Sequence, residues 1–431
     1  MRVVVLGGGS SGEHFVGALR RLDSAAELTL VERRLVGGEC SYWACMPTKT
    51  MLRAPELVAE ARRAPGLKPG TLDSAGVFAW RDLVAERDDS SQVEWLAGQR
   101  CELVRGDAAV TRPGVVSVGE RELEYDRLVI ATGSAPAIPP IPGLDEYWTN
   151  VEATETTEVP EALVVLGGGP VGCELAQFFA RVGSKVTLVQ ADDRLLTRID
   201  AEAAGLVADG LRADGVDIRV GAKVGSIDGY VVVLADGARI PFTRVLVATG
   251  RRPNLDGLDS LGLTTNHAGI VVDERMRAAE NVWAIGDVTG IALFTHVGKY
   301  HARIAAYDIH GRETRADHRA IPGTIFTDPQ VATVGSMEGG KTSTWQLTST
   351  PRLSTYERPK RAGFVKIAAD PVRRVVTGAV AVGPEAGEWL QQLTLAIRAE
   401  TPIEVLLDVI QPYPTFSEAV FLALRGLDLD L

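Results

Sequence analysis

Residues 2–13 read Arg-Val-Val-Val-Leu-Gly-Gly-Gly-Ser-Ser-Gly-Glu, and residues 162–174 read Ala-Leu-Val-Val-Leu-Gly-Gly-Gly-Pro-Val-Gly-Cys-Glu. Each is a short apolar run, a glycine turn and the start of a helical pattern. A second apolar run follows each, at 28–32 in the first copy and 186–190 in the second. Each half later carries an apolar run ending in Ala-Thr-Gly, at 128–133 and 245–250. A strand–turn–helix–strand theme that occurs twice predicts an α/β protein with two Rossmann-like dinucleotide-binding domains.

The glycine spacing has a physical reading. In Gly7-x-Gly9-x-x-Gly12 the first glycine permits a tight turn, the second removes a Cβ that would block a pyrophosphate, and the third lets helix pack on strand. The helix N-terminus then faces the phosphates. Glu32 lies twenty residues beyond Gly12 at a strand end, where a carboxylate accepts from ribose hydroxyls. Gly167-x-Gly169-x-x-Gly172 repeats the logic, with Gln190 at the strand end. An amide bonds a 2′-hydroxyl and does not repel a 2′-phosphate. Arg194 and Arg198 favour the phosphate while Asp192 and Asp193 oppose it, so both NAD and NADP stay open.

The chain has 431 residues, a length that suggests about three domains. Its 45 Lys plus Arg against 56 Asp plus Glu leave a net charge of −11, the wrong sign for a nucleic-acid partner. No run of 18 apolar residues is present, so no membrane insertion is expected. The first strand begins almost at Met1, with no basic region or cleavage site before it, which makes the cytoplasm the default location.

Of four cysteines, two form a close pair in the segment Gly37-Gly38-Glu39-Cys40-Ser41-Tyr42-Trp43-Ala44-Cys45-Met46-Pro47-Thr48-Lys49. Thiols at this spacing on a helical start come near the roughly 7 Å Cα separation that a disulfide needs, and a strained small loop makes the bond exchangeable. A metal centre fails on ligand count, because no second pair and no nearby His complete a tetrahedron. Cys101 and Cys173 read as packing residues.

With the glycine loops, the thiol pair and the runs Asn281–Thr289, Phe326–Gly335 and Pro414–Ala419, the chain resembles the pyridine nucleotide–disulfide oxidoreductases, the family of lipoamide dehydrogenase, glutathione reductase and mercuric reductase. The resemblance implies FAD at Gly7, Gly9, Gly12, Glu32, Thr132 and Gly133, with Asp287 on its ribityl chain. It implies NAD or NADP at Gly167, Gly169, Gly172, Gln190 and Gly250. Cys45 would be the charge-transfer thiol and Cys40 the exchanging thiol. Lys49 would lie beside the flavin with Glu174 as its partner. The implied domains are 1–148 (FAD-binding, first part), 149–265 (NAD(P)-binding), 266–318 (FAD-binding and central part) and 319–431, an α+β dimerisation domain. A homodimer follows, with Pro414–Glu418 covering the partner's thiols.

Two departures bear on the acceptor. The family's usual His-x-His-Pro-Thr-x-x-Glu is here Gln411-Pro412-Tyr413-Pro414-Thr415-Phe416-Ser417-Glu418. Tyr413 stands in place of the base His while Glu418, its usual orienting partner, remains. A phenol with an ordinary pKa of about 10 is a poor base at neutral pH. Mercuric reductases have Tyr near this place, yet this chain lacks their C-terminal thiol pair. The second departure is Glu39, Tyr42 and Trp43 in the thiol loop, which imply a differently shaped pocket near Cys40. The expectation is therefore an enzyme passing electrons from NAD(P)H through FAD and Cys40/Cys45 to a small acceptor (disulfide, metal ion or quinone-like). A non-turnover flavoprotein sensor or complex subunit is the alternative.

Overall fold

The apolar run before the first glycine turn is the strand Arg2–Leu6. It pairs in parallel with Glu27–Glu32 on one side and Arg127–Ile130 on the other. The six-stranded sheet runs Arg277–Ala279, Val282–Ala284, Arg127–Ile130, Arg2–Leu6, Glu27–Glu32, Cys101–Arg105. Strands covered on both faces need apolar residues at every position instead of alternate ones. Accordingly Val3 and Val5 enter one core with Phe15, Leu19 and Trp283, while Val4 and Leu6 enter another with Val116, Leu123 and Ile270.

This computed structural model describes residues 1–357 and 363–429. They fall into two units: 1–48, 81–137 and 250–317 in the first, and 49–80, 138–249 and the chain from 318 onward in the second. Five helices carry the groups discussed below: α1 (Ser10–Leu22), α2 (Gly38–Tyr42), α3 (Cys45–Arg63), α4 (Pro170–Arg181) and α5 (Thr295–Ile309).

The second unit repeats the design. Ala162–Leu166 pairs in parallel with Lys185–Val189 and Arg244–Val247, and α4 packs Phe178 and Phe179 against Leu163 and Val165. The segment beyond residue 320 is a five-stranded antiparallel sheet in the order Pro322–Ile325, Gln330–Gly335, Val375–Gly383, Phe364–Asp370, Lys341–Gln346. Helices Gln391–Ala399 and Ser417–Arg425 bury Leu393, Ile397, Val420 and Leu424 with the apolar face of that sheet. The architecture is thus α/β, with two Rossmann-like folds and a C-terminal α+β portion. Among the described residues no helix is long and apolar enough to cross a membrane.

Candidate active site

The two glycine turns have nearly the same geometry. Gly7 and Gly167 sit at φ +103° and +108°, where L side chains are strained, and a Cβ there would strike the carbonyl of Ala131 or Ala248. A Cβ on Gly12 or Gly172 would strike the carbonyl of Gly7 or Gly167, so these glycines serve the helix–strand contact. The middle glycines differ. Gly9 and Gly169 have φ −69° and −77°, open to any residue. A Cβ would meet nothing closer than Gly38 Cα at 3.9 Å in the first case, and nothing within 4 Å in the second. The chain itself does not need glycine here, and the space left open against each helix N-terminus has room for a phosphate. Ser10 Oγ, buried and without a hydrogen-bond partner at the start of α1, fits the same cradle.

The strand-end side chains brace these turns. Gly8 N–H donates to Glu32 Oε2 at 2.7 Å and Arg34 N–H to Oε1 at 2.6 Å. Gly168 N–H donates to Gln190 Oε1 at 2.8 Å, while Gln190 Nε2 donates to Asp192 at 2.7 Å. Arg194 turns inward, donating to the carbonyls of Leu196 and Thr197 at 2.9 and 2.8 Å.

In the first unit, α2 and the start of α3 bring the Cys40 and Cys45 thiols together as a hydrogen-bonded dithiol. Thr295, the first residue of α5, places its Oγ1 3.5 Å from Cys45 Sγ and also bonds Cys40. Two helix N-termini, those of α3 and α5, therefore meet at the sulfurs and favour negative charge there. The hydrogen bond to Cys45 and burial push the Cys40 thiol well above the ordinary range, with Thr295 and Lys299 opposing.

Tyr42 and Trp43 prove to be supports. They are 2% and 5% exposed. Tyr42 donates to the Val36 carbonyl at 2.8 Å, and the Arg34 guanidinium lies 3.9 Å over the Trp43 ring. Glu39 has a partner that the sequence did not reveal. Arg251 donates to Glu39 at 2.6 Å and to Ser134 Oγ at 2.7 Å, and Ser134 donates onward to Asp287 at 2.8 Å. Burial raises the Asp287 carboxyl, while Ser134 and Arg251 hold it down. Thr132 is locked by reciprocal bonds with Asn254, and Gly133 at φ +70° has open space beside it. Gly250, at φ +126°, is likewise open.

Lys49 lies one turn along α3 from Cys45. In the second unit its Nζ donates to Glu174 Oε2 at 2.6 Å, and Glu174 Oε1 accepts from Phe326 N–H at 2.9 Å. Glu174 is 3% exposed, so its charge is balanced by an ammonium and a backbone donor as a buried carboxylate requires. Burial raises Cys101 to about 12 and Cys173 still further, which leaves both as inert packing residues. Tyr413 is 70% exposed, and Glu418 keeps a buried Oε2 without a hydrogen-bond partner among the described residues. Sequence reading missed Thr295, Ser134 and Arg251. Arg251 directly follows the second Ala-Thr-Gly, a strand end where ligand-facing groups collect, and that was the available signal.

The model of the pyridine nucleotide-disulphide oxidoreductases matches residues 1–307, and that of their dimerisation domain matches 321–424. Mercuric reductase from Shigella flexneri is 34% identical over 98% of this chain and 80% of its own length. Dihydrolipoyl dehydrogenase 2 from Haloarcula marismortui is 31% identical over 97% of this chain and 94% of its own. Among solved structures, the HOCl-induced flavoprotein disulfide reductase RclA from Escherichia coli superposes with a TM-score of 0.87 at 26% identity, covering 99% of both chains. These relatives are flavin-dependent oxidoreductases with a nicotinamide donor. The open cradles at Gly9 and Gly169, the orphaned Ser10 hydroxyl and the buried Asp287 suit those two cofactors. The chain belongs to the pyridine nucleotide–disulfide oxidoreductase family and is an enzyme that uses FAD and NAD(P)H.

Proposed function

We propose that electrons pass from NADH through FAD to the oxidised Cys40–Cys45 pair, reducing its disulfide to a dithiol, and on from the dithiol to a small acceptor. The observation that carries this reading is the pair of touching thiols at the N-termini of α3 and α5. Gly7, Gly9, Gly12, Glu32, Thr132, Gly133 and Asp287 hold the flavin; Gly167, Gly169, Gly172, Gln190 and Gly250 hold the nicotinamide. FAD, when bound, supplies a centre that takes a hydride and returns two electrons to the disulfide. Cys45, opening α3, is the thiolate kept nearest that centre, and Cys40 faces the acceptor. Lys49, fixed by Glu174, is the cation that stabilises negative charge on the reduced cofactor. Turnover assays with lipoamide, glutathione disulfide, mercuric ion and quinones test the reading: at least one acceptor should show a rate that needs both thiols. A protein that binds both cofactors and turns over none of them would be a sensor or complex subunit instead.

The donor is NADH. Arg194 is committed to backbone carbonyls, and Asp192 stands beside Gln190 at the end of the strand. A 2′-phosphate near Asp192 meets about 1–2 kcal/mol of repulsion, so kcat/KM for NADH should exceed that for NADPH by roughly tenfold or more. Equal values would show that Arg198 compensates.

Tyr413 acts as a hydrogen-bond donor to a Cys40 thiolate or to bound acceptor, from the partner protomer of a two-fold dimer. Loss of one charge-assisted bond costs about 1.5–3 kcal/mol, so Tyr413→Phe should lower turnover about 10- to 150-fold. Tyr413→His should speed the reduction of small disulfides, because it restores an imidazole near Glu418. A dead Tyr413→Phe enzyme with no gain from Tyr413→His would assign the phenol another role. The apolar surface of this segment supports the dimer. Ile410 is 95% exposed and Val409 49%, next to Tyr413. Light scattering at micromolar concentration should give twice the chain mass.

A further inference from the structure

Cys40 rides on a helix of little more than one turn. α2 spans five residues, Gly38–Tyr42, and no side chain caps its start. So short a helix has no stability of its own and keeps its place through contacts with the rest of the chain. Two left-handed glycines, Gly37 at φ +114° and Gly38 at φ +65°, lead into it, and Gly37 N–H donates to the Gly8 carbonyl at 2.8 Å. Ser41 and Tyr42 bond back to carbonyls of their own loop, those of Gly37 and Val36. Glu39, the residue before Cys40, reaches 212 residues along the chain to Arg251, whose Nη2 donates to Glu39 Oε2 at 2.6 Å.

Arg251 faces two ways. Its Nε donates to Ser134 Oγ at 2.7 Å, and its Nη2 donates to the Ser134 carbonyl at 2.8 Å as well as to Glu39. Ser134 Oγ donates onward to Asp287 Oδ2 at 2.8 Å. The strands Ser134–Pro136 and Arg251–Pro253 pair antiparallel, which fixes the base of the Arg251 side chain, and Asp287 lies in the short helical segment Gly286–Thr289. All four residues belong to the first unit. Ser134 is buried, and Arg251 and Glu39 are half-buried, so these charge-assisted bonds are partly shielded from water and count for more than an exposed ion pair. The Arg251 charge also favours the ionised form of Asp287 against its burial. One guanidinium thus links the residue beside the exchanging thiol to the carboxylate assigned to the flavin.

We propose that Arg251 is a positioning residue for electron transfer: through Glu39 it fixes the helix that carries Cys40, and through Ser134 it fixes Asp287, so that the sulfurs and the flavin keep one spacing. The proposal rests on the dithiol reading above and on Asp287 as a flavin ligand. Glutamine at position 39 keeps the shape and a hydrogen bond but loses the ion pair, and so cuts the arm to α2 alone.

Hydrogen exchange of the holoenzyme, read by mass spectrometry, tests the tether, and anaerobic titration with NADH tests its use. In Glu39→Gln the peptide covering α2 should exchange about tenfold or more faster than in the parent, while peptides from the strand Arg2–Leu6 exchange unchanged. The thiolate–flavin absorption band formed on two-electron reduction should weaken by about half or more, with the flavin content kept. Arg251→Met, which cuts both arms, should in addition raise the flavin dissociation constant about tenfold or more. Arg251→Lys keeps a cation opposite Glu39 and should recover most of the protection of α2. Unchanged exchange at α2 in both Glu39→Gln and Arg251→Met overturns the tether. Faster exchange with an undiminished band overturns the positioning role and leaves the dithiol reading standing. A parent enzyme that forms no band overturns the dithiol reading, and the positioning role with it.

Discussion

Cys45→Ser and Cys40→Ser each lose at least about 10³-fold in turnover with any acceptor served by the dithiol, and they fail in different ways. Removal of a covalent nucleophile is among the largest single-residue effects in enzymes. The structure gives the two sulfurs unequal surroundings. Cys45 opens α3, at that helix's N-terminus, while Cys40 lies within the one-turn α2; Thr295 reaches both sulfurs. Cys40→Ser removes the group that holds Cys45 in an oxidised pair. It should therefore leave a permanent Cys45 thiolate and show a long-wavelength thiolate–flavin absorption band before any NADH is added. Cys45→Ser should show no such band at any stage. Full turnover by both variants with every acceptor would take the dithiol off the pathway and leave direct transfer from flavin to acceptor.

Gly9→Val should strip the flavin, and Gly169→Val should spare it while weakening its reduction by NADH. Neither glycine is required by its own backbone angles, and a Cβ at either place meets no protein atom closer than 3.9 Å. Valine there should fold with a melting temperature within a few degrees of the parent apoprotein. What it fills is the space where a pyrophosphate rests against the helix N-terminus, so the affinity loss should be about 100-fold or more. The pair of variants is its own control: flavin content falls only in Gly9→Val, and KM for NADH rises only in Gly169→Val. Retention of flavin by Gly9→Val would place the cofactor elsewhere.

The two Rossmann-like folds were legible because the glycine pattern encodes backbone geometry within a dozen residues: a left-handed turn at Gly7, an open face at Gly9, a close helix–strand contact at Gly12. The second copy at Gly167, Gly169 and Gly172 repeats it almost atom for atom. The thiol pair was legible for the same reason of short range. Thr295 was not, since 250 residues separate it from Cys45 and no local pattern links them. The bonds from Gly8 to Glu32 and from Gly168 to Gln190 also escaped notice, because a strand-end side chain reads as a ligand contact before it reads as a brace. Tyr42 and Trp43, taken as pocket-shaping residues from their bulk, are buried. The partner of Glu39 lies on Arg251, which only the sheet brings near.

The central claim is that the Cys40/Cys45 pair stands between flavin and acceptor. Anaerobic titration of the holoenzyme with NADH tests it most directly. The account predicts that the first two electrons leave the flavin oxidised and produce the long-wavelength thiolate–flavin band, with flavin bleaching only on further addition. Bleaching of the flavin by the first equivalent of NADH, with no such band, would contradict it.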